Sequence, residues 1–167
     1  VNDAPTASAT SFTTNEDTTK SGTLPAATDV DGDAVTYAVD TGPAHGSLTL
    51  NSDGTYSYTP AGDYNGSDSF TYTVSDGQGG SNTYTVNLTV NAVNDAPVVA
   101  AAIADQSVNE DTAWSYTVPA GTFRDVDGDT LTYTATLTGS ASLPTWLRFD
   151  GATRTFSGTP PENFNGD

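Results

Sequence analysis

Apolar and polar residues alternate along the chain in short segments, each of which ends at a turn motif. The alternating apolar positions are Val35, Tyr37 and Val39; Leu48 and Leu50; Tyr56 and Tyr58; Phe70, Tyr72 and Val74; and Tyr84, Val86, Leu88 and Val90. A period of two residues is typical of a β-strand with one buried face. The turn motifs NSDG (Asn51–Gly54) and DGQGG (Asp76–Gly80) separate these runs, and no helical periodicity lies between them. The pattern predicts a β-sandwich of about seven strands within roughly 90 residues.

The same plan occurs twice in the chain. The repeated motifs are VNDAP at Val1–Pro5 and Val93–Pro97, NEDT at Asn15–Thr18 and Asn109–Thr112, DVDGD at Asp29–Asp33 and Asp125–Asp129, and an Asn-Gly turn at Asn65 and Asn165. Four motifs in the same order indicate two homologous units. The apolar positions of the second unit are Trp114, Tyr116 and Val118; Leu131, Tyr133 and Leu137; and Trp146, Leu147 and Phe149. We therefore predict an all-β protein of tandem seven-stranded Greek-key sandwiches, with one repeat at residues 1–92, a linker at 93–97 and a second repeat at 98–167.

The second unit has no counterpart of the last two strands of the first. In the first unit Asp68 precedes two predicted strands, Ser69–Ser75 and Ser81–Asn91, whereas the sequence of the second unit stops at Asp167. A sandwich without these strands would expose core and strand edges. We expect the missing strands to follow in a longer natural chain, and the alternative is that a neighbouring molecule supplies them. The linker-like residues at the start also suggest a segment of a longer protein.

Charge and residue types exclude several function classes. The 167 residues include 4 Lys and Arg against 21 Asp and Glu, a formal net charge of −17. This charge repels nucleic acid and anionic membranes, and no apolar run is long enough to span a bilayer. Without cysteine the chain has no disulfides or thiolate metal sites. The single histidine, His45, and the lack of nucleophile, zinc-protease and phosphate-loop motifs predict that the protein is not an enzyme.

Each DVDGD motif places three carboxylates within five residues, and two interpretations compete. It is either a cation site or a solvated acidic turn, since Asp and Gly favour turns in any case. Calcium prefers six to eight oxygen ligands, which Asp-x-Asp on a tight loop can begin to supply. An EF-hand is excluded because Ala34 and Asp40 stand where its glycine and glutamate belong. The candidate ligands of the two loops are Asp29, Asp31 and Asp33, and Asp125, Asp127 and Asp129; the oxygen-rich candidates elsewhere are Glu16, Glu110, Asp63, Asn65, Asp76, Asn94 and Asp95.

The segment from Phe70 to Val99, FTYTVSDGQGGSNTYTVNLTVNAVNDAPVV, resembles the end of a cadherin repeat followed by its linker. DVDGD is similar to the Asp-x-Asp element of that family, Glu16 to its lone glutamate, and Asp63–Tyr64–Asn65 to its Asp-Arg-Glu. The chain resembles more closely the tandem cadherin-like repeats of large secreted bacterial adhesins. LPTWLRFD (Leu143–Asp150) and TFSGTP (Thr155–Pro160) make the second unit similar to the dystroglycan-type subclass. Ala92 and Asn65 replace acidic residues of the cadherin pattern, which implies fewer or weaker ions.

The resemblance implies a calcium site shared by the two units, and a matching half-site at the start of the chain. The residues implied for the shared site are Glu16, Asp63, Asn65, Asn94, Asp95, Asp125 and Asp127. The residues implied for the half-site are Asn2, Asp3, Asp29, Asp31 and Asp76. We expect the Asp125/Asp127 loop to bind calcium more strongly than the Asp29/Asp31 loop. Asp33 and Asp129 are either further ligands or solvent-facing turn residues.

The function implied is that of an extracellular spacer in a bacterial surface or secreted adhesin, rigidified by Ca2+. The expected partners are neighbouring repeats of the same chain. A calcium-dependent polysaccharide-binding module is the alternative, which predicts exposed aromatic side chains. Homotypic adhesion is a third possibility, which predicts calcium-dependent self-association.

Overall fold

A computed structural model of the chain describes residues 1–164, so the predicted turn at Asn165–Asp167 lies outside the described residues. The chain divides into two compact units, the first being Val1–Val93 and the second beginning at Asn94. The division falls within the predicted linker. No helix among the described residues is long and apolar enough to cross a membrane.

Unit 1 contains seven strands, as the alternation predicts. They are β1 (Thr10–Asn15), β2 (Lys20–Thr23), β3 (Thr36–Thr41), β4 (Gly46–Leu50), β5 (Thr55–Pro60), β6 (Gly66–Ser75) and β7 (Ser81–Asn91). One sheet has the order β1-β7-β6-β3, with β1 parallel to β7 and the other pairs antiparallel. The other sheet has the antiparallel order β2-β5-β4. β6 begins three residues earlier than predicted, so Asp68 lies inside the strand rather than before it.

The core of unit 1 lies between the two sheets, and nine of its ten buried residues are predicted alternating residues, the exception being Leu24. Tyr58, Phe70, Tyr72, Val74 and Val86 are each at most 1% exposed. Burial of such side chains stabilises a fold by roughly 1.5–3 kcal/mol each. One predicted inward position differs: Val39 is 42% exposed, and it lies beside an irregularity in the pairing of β3 with β6.

A buried carboxylate fixes the turn before β4. Asp68 is 8% exposed, and its two oxygens accept hydrogen bonds from the amides of Ala44 (2.9 Å), His45 (2.9 Å) and Ser69 (2.8 Å). The hydroxyl of Tyr58 donates a fourth bond at 3.0 Å. Burial opposes ionisation of Asp68, but these four donors outweigh it and hold the pKa of Asp68 below its usual range. Burial, together with the bond to Asp68, raises the pKa of Tyr58.

Among residues 94–164, unit 2 has a three-stranded sheet that corresponds to one of the two sheets of unit 1, and a short two-stranded pair. Its strands are β8 (Val98–Val99), β9 (Trp114–Thr117), β10 (Phe123–Arg124), β11 (Leu147–Asp150) and β12 (Thr155–Gly158). The antiparallel order β11-β12-β9 repeats the order β4-β5-β2. The short pair β8-β10 corresponds to a single bridge between Thr6 and Thr28 in unit 1.

The predicted strand at Leu131–Leu137 does not form, and the topology of unit 1 explains why. These residues correspond to β3, which pairs only with β6, and the described part of unit 2 has no counterpart of β6. Residues 104–109 correspond to β1, which pairs with β7, and they also form no strand. A strand requires a partner for its backbone groups, so an alternating sequence alone is insufficient.

Candidate metal centre

The DVDGD loop of unit 1 is organised around the carboxylate of Asp29. Its Oδ1 accepts hydrogen bonds from the amides of Asp31 (2.9 Å) and Asp33 (3.4 Å). Gly32 adopts a φ of 81°, a conformation that few other residues tolerate, and this reverses the chain between the acids. Hydrogen bonds between its own amides and the Asp29 carboxylate therefore order the loop.

The first residues of the chain bind to this loop and to the β6–β7 turn. The amide of Asp3 donates to Asp31 Oδ2 at 2.7 Å, and Asn2 Nδ2 donates to Asp76 Oδ2 at 2.8 Å. Asp76 is 4% exposed. The bond from Asn2, with amides of the β6–β7 turn, holds the pKa of Asp76 below its usual range against the effect of burial. The structure thus brings together the five residues predicted for the N-terminal half-site, which we call the N-terminal acidic cluster: Asn2, Asp3, Asp29, Asp31 and Asp76.

One oxygen in this cluster lacks a hydrogen-bond donor. Asp29 Oδ2 is inaccessible to solvent and has no hydrogen-bond partner. An ionised oxygen in such a position is costly unless a cation or a donor compensates it. The polar side chains of the cluster offer carboxylate and amide oxygens, which are the ligands that hard cations such as Ca2+ prefer. The residue types of the cluster therefore suit a calcium ion.

A second group of predicted ligands lies at the C-terminal end of β1, beginning with Glu16. Glu16 is 2% exposed; its Oε1 accepts a hydrogen bond from the Val93 amide and its Oε2 accepts one from Asn65 Nδ2 at 3.5 Å. The Glu16 amide in turn donates to the Asn91 carbonyl at 2.9 Å. Glu16 therefore connects the end of β7 and Val93 to the loop between β5 and β6, which contains Asn65.

Asp17 belongs to this group but was not predicted. The Asp63 amide donates to Asp17 Oδ1 at 3.4 Å, and a carboxylate oxygen of each residue lies within 4.8 Å of the other. Both residues adopt a positive φ, 55° for Asp17 and 56° for Asp63, which places them at sharp turns. The signal available in the sequence was the acid beside Glu16 in the NED motif. We call Glu16, Asp17, Asp63 and Asn65 the C-terminal acidic cluster of unit 1.

The DVDGD loop of unit 2 repeats the geometry of the first loop. Asp125 Oδ1 accepts from the amides of Asp127 (3.0 Å) and Asp129 (3.3 Å), and Gly128 has a φ of 79°. The amide of Asp95 donates to Asp127 Oδ2 at 2.7 Å, as Asp3 does to Asp31. Asn94 Nδ2 donates to the Asp95 carbonyl at 2.9 Å. The VNDAP and DVDGD motifs therefore form one structural element in each unit.

The remaining predicted ligands are not gathered in this way. Glu110, the counterpart of Glu16, is exposed, because the counterparts of the Asn65 and Val93 groups that bury Glu16 lie outside the described residues. Asp33 and Asp129 contribute their amides to the loops. Among residues 1–164, Phe164 is the only exposed aromatic side chain, so this part of the chain presents no array of exposed rings.

Among solved structures, the chain is similar to two polysaccharide hydrolases and to a set of extracellular cadherin domains. The endo-fucoidan hydrolase MfFcnA4 from glycoside hydrolase family 107 is 25% identical, with 98% of this chain and 25% of that chain covered and a TM-score of 0.48. The endo-fucoidan hydrolase MfFcnA9 of the same family is 19% identical, over 99% of this chain and 31% of that chain, with a TM-score of 0.44. Extracellular cadherin domains 3–6 of protocadherin gamma B2 are 13% identical, over 96% and 39%, with a TM-score of 0.49. This chain thus spans less than two fifths of the length of each.

No curated protein matches the chain. Family comparison assigns each unit separately. Residues 2–89 match the family described as bacterial Ig domain, and residues 96–166 match the one described as putative Ig domain. The two matched regions correspond to the two repeats of the sequence and to the two units of the structure. Since the first match covers more than half of the 167 residues, the chain belongs to the bacterial Ig domain family.

Proposed function

We propose that this chain is part of an extracellular spacer in a bacterial surface or secreted adhesin, and that Ca2+ rigidifies it. The role is mechanical rather than catalytic: the domains hold other parts of the protein at a distance. Calcium would neutralise clustered carboxylates that otherwise repel one another within a chain of net charge −17.

The observation that carries the proposal is the repeated acidic loop. In both units the amide of the VNDAP aspartate binds the second aspartate of DVDGD, at 2.7 Å in each case. In both units the first aspartate accepts the amides of the second and third. A solvated turn would not require the same long-range bond twice, across 28 and 32 residues of sequence. In a cation site, ligands from separate segments converge, and this bond brings VNDAP next to DVDGD.

Carboxylates anchor the backbone on both sides of the linker. The Val93 amide is bound to Glu16 within unit 1, and the Asp95 amide is bound to Asp127 within unit 2. We propose that Glu16, Asp63 and Asn65 provide ligands from one side of the linker. Asn94, Asp95, Asp125 and Asp127 would provide the others, and Asp17 joins the set.

Calorimetric titration of the chain with CaCl2 tests the proposal, together with small-angle X-ray scattering in calcium and in chelator. Extracellular calcium modules bind with dissociation constants of about 10⁻⁴ to 10⁻³ M. We expect saturable binding in that range or tighter, a higher melting temperature and a change in maximum dimension on calcium removal. Unchanged melting temperature and dimension would contradict the proposal.

Two matched variants distinguish calcium binding at the proposed site from nonspecific attraction of calcium to the negative charge of the chain. Asp127→Asn removes a proposed ligand, whereas Asp105→Asn removes the same charge from an exposed residue outside the acidic loops. We expect at least a tenfold loss of affinity for the first variant, since one carboxylate ligand is worth at least about 1.4 kcal/mol at such a site. The second variant should titrate like the parent chain. Equal affinities for the two variants would mean that calcium binds only diffusely.

A further inference from the structure

In unit 1 the first strand and the last strand run side by side in the same direction. β1 is parallel to β7, and six consecutive residue pairs join them, from Thr10 opposite Val86 to Asn15 opposite Asn91. The hydrogen bonds of a parallel ladder are evenly spaced along both strands. β1 lies at the edge of its sheet, so its backbone is held in place through β7.

Side chains of β7 extend this contact to the residues before β1. Asn82 Nδ2 donates a hydrogen bond to the carbonyl of the buried Pro5 at 2.9 Å, and the Ala7 amide donates one to the Tyr84 hydroxyl at 2.9 Å. The partners of both bonds are 77 residues apart in sequence, and the opposed residues of the ladder are 76 apart. The parallel alignment therefore begins at Pro5.

Glu16 extends the contact beyond the other end of the ladder. Its amide donates to the Asn91 carbonyl at 2.9 Å, and its buried carboxylate accepts the amide of Val93, which is 77 residues away. Val93 is the last residue of unit 1. A hydrogen bond to an ionised group is roughly twice as strong as one between neutral groups. We call the two aligned segments, residues 5–16 and 82–93, the terminal seam.

We propose that the terminal seam is a force-bearing element, through which unit 1 resists tension applied along the chain. Tension pulls Pro5 toward the residues that precede it and Val93 toward the residues that follow it. Because the two segments are parallel, these two forces act in opposite directions along the seam. All of its hydrogen bonds are then loaded at once, and the seam must shear as a whole before either segment detaches.

The β6–β7 hairpin of the same unit would respond differently to force. It has ten residue pairs, but its strands are antiparallel, so tension on its open end breaks the pairs one after another. A longer ladder in this geometry therefore yields at a lower force than the seam. The biological purpose of the seam rests on the spacer part of the proposed function, since a spacer between two attachment points carries tension, and it does not depend on calcium.

Single-molecule force spectroscopy of the full chain in a calcium chelator tests this inference. The sequence has no cysteine, so handles can be attached at introduced cysteines. In the variant V1C/A96C, with both positions exposed, the force passes along the seam and through unit 1 alone. In the variant S67C/A92C, also at exposed positions, the force acts on the open end of the β6–β7 hairpin. We expect the first variant to unfold at a several-fold higher force at the same loading rate.

Substitutions of Glu16 in the V1C/A96C background test its part in the seam. E16A removes the acceptor of the Val93 amide, so we expect the rate of unfolding at a fixed force to rise about tenfold or more. E16Q keeps an acceptor oxygen but loses the charge, so its rate should lie between those of the parent and E16A. Leu48→Ala, in β4 and outside the seam, is the control. It should lower the melting temperature and leave the rate under force close to that of the parent, because its contacts are still intact when the seam shears.

Equal unfolding forces in the two pulling directions would overturn the inference, and this comparison requires no change at Glu16. An E16A chain that unfolds under force at the parent's rate would also contradict it. If Leu48→Ala accelerates unfolding under force as much as E16A does, the force reports only the overall stability of unit 1, and the seam has no special role. All of these measurements are made in chelator, so their failure is distinguishable from a failure of the calcium titration.

Discussion

At the scale of single residues, Asp68 shows how one carboxylate organises unit 1. Four donors converge on it, three of them backbone amides. We predict that Asp68→Asn destabilises unit 1 by about 2–3 kcal/mol, because an amide group cannot accept all four bonds and its own NH2 faces other donors. The midpoint of urea denaturation, followed by tyrosine fluorescence, measures this change.

Asp53→Asn is the matched control for that substitution. Asp53 is exposed, and a single oxygen, Oδ1, accepts both bonds from Thr55, at 2.9 and 2.6 Å. An asparagine oxygen can accept the same two bonds, so we expect little change in the midpoint. If the two variants unfold at the same urea concentration, Asp68 is not the organising group that its contacts indicate.

The lowered pKa of Asp68 also predicts how the stability of unit 1 depends on pH. The folded pKa lies below the unfolded value of about 3.9, so the unfolded state takes up the proton first as pH falls. The contribution of Asp68 is therefore complete above about pH 5 and is lost as pH falls through the folded pKa. The difference in unfolding free energy between parent and Asp68→Asn should shrink between pH 6 and pH 2.5. A difference that stays constant over this range would contradict the assignment.

At the scale of elements, the β6–β7 turn holds the start of the chain in place. A Cβ at Gly80 would collide with Asp76 Oδ2 and would lie 2.8 Å from the Ala4 Cα. We predict that Gly80→Ala separates Asn2 from Asp76 and weakens calcium binding at the N-terminal acidic cluster several-fold. Gly42→Ala is the control, because nothing lies within 4 Å of its added methyl group. Calorimetric titration of both variants with CaCl2 measures the difference in affinity. Equal isotherms would exclude a role for this turn in calcium binding.

Alternation located five of the seven strands of unit 1, β3 to β7, each of which has a partner in the chain, whereas it did not locate β1 and β2. Leu131–Leu137 has the same alternation but forms no strand, since backbone pairing depends on a second segment that sequence periodicity does not reveal. The burial of Glu16 could not be predicted from the sequence either. It results from contacts with Asn65 and Val93, which are 49 and 77 residues away in sequence. The acidic residues of the loops could be identified from the sequence alone. The hydrogen bonds that join VNDAP to DVDGD could be identified only from the folded structure.

At the scale of the whole molecule, the negative charge is shared by both units, whereas the buried apolar cluster is not. All ten residues of the buried apolar cluster belong to unit 1, while both units carry the acidic loops. Self-repulsion therefore opposes folding in both units, and among residues 1–164 the large core that offsets it lies in unit 1. We therefore expect unit 2 to be the less stable of the two units.

This imbalance predicts two unfolding transitions rather than one in differential scanning calorimetry, with unit 2 unfolding at the lower temperature. Leu88→Ala removes a 2% exposed core side chain of unit 1 and should cost about 2–5 kcal/mol. For a domain of this size that corresponds to a decrease of at least about 10 °C in the upper transition, with the lower one unchanged. Thr89→Ala, at the exposed neighbouring position of the same strand, should move neither transition by more than about 4 °C. A single transition that Leu88→Ala shifts as a whole would show that the units unfold together, and the stability of unit 2 could then no longer be attributed to its own small core.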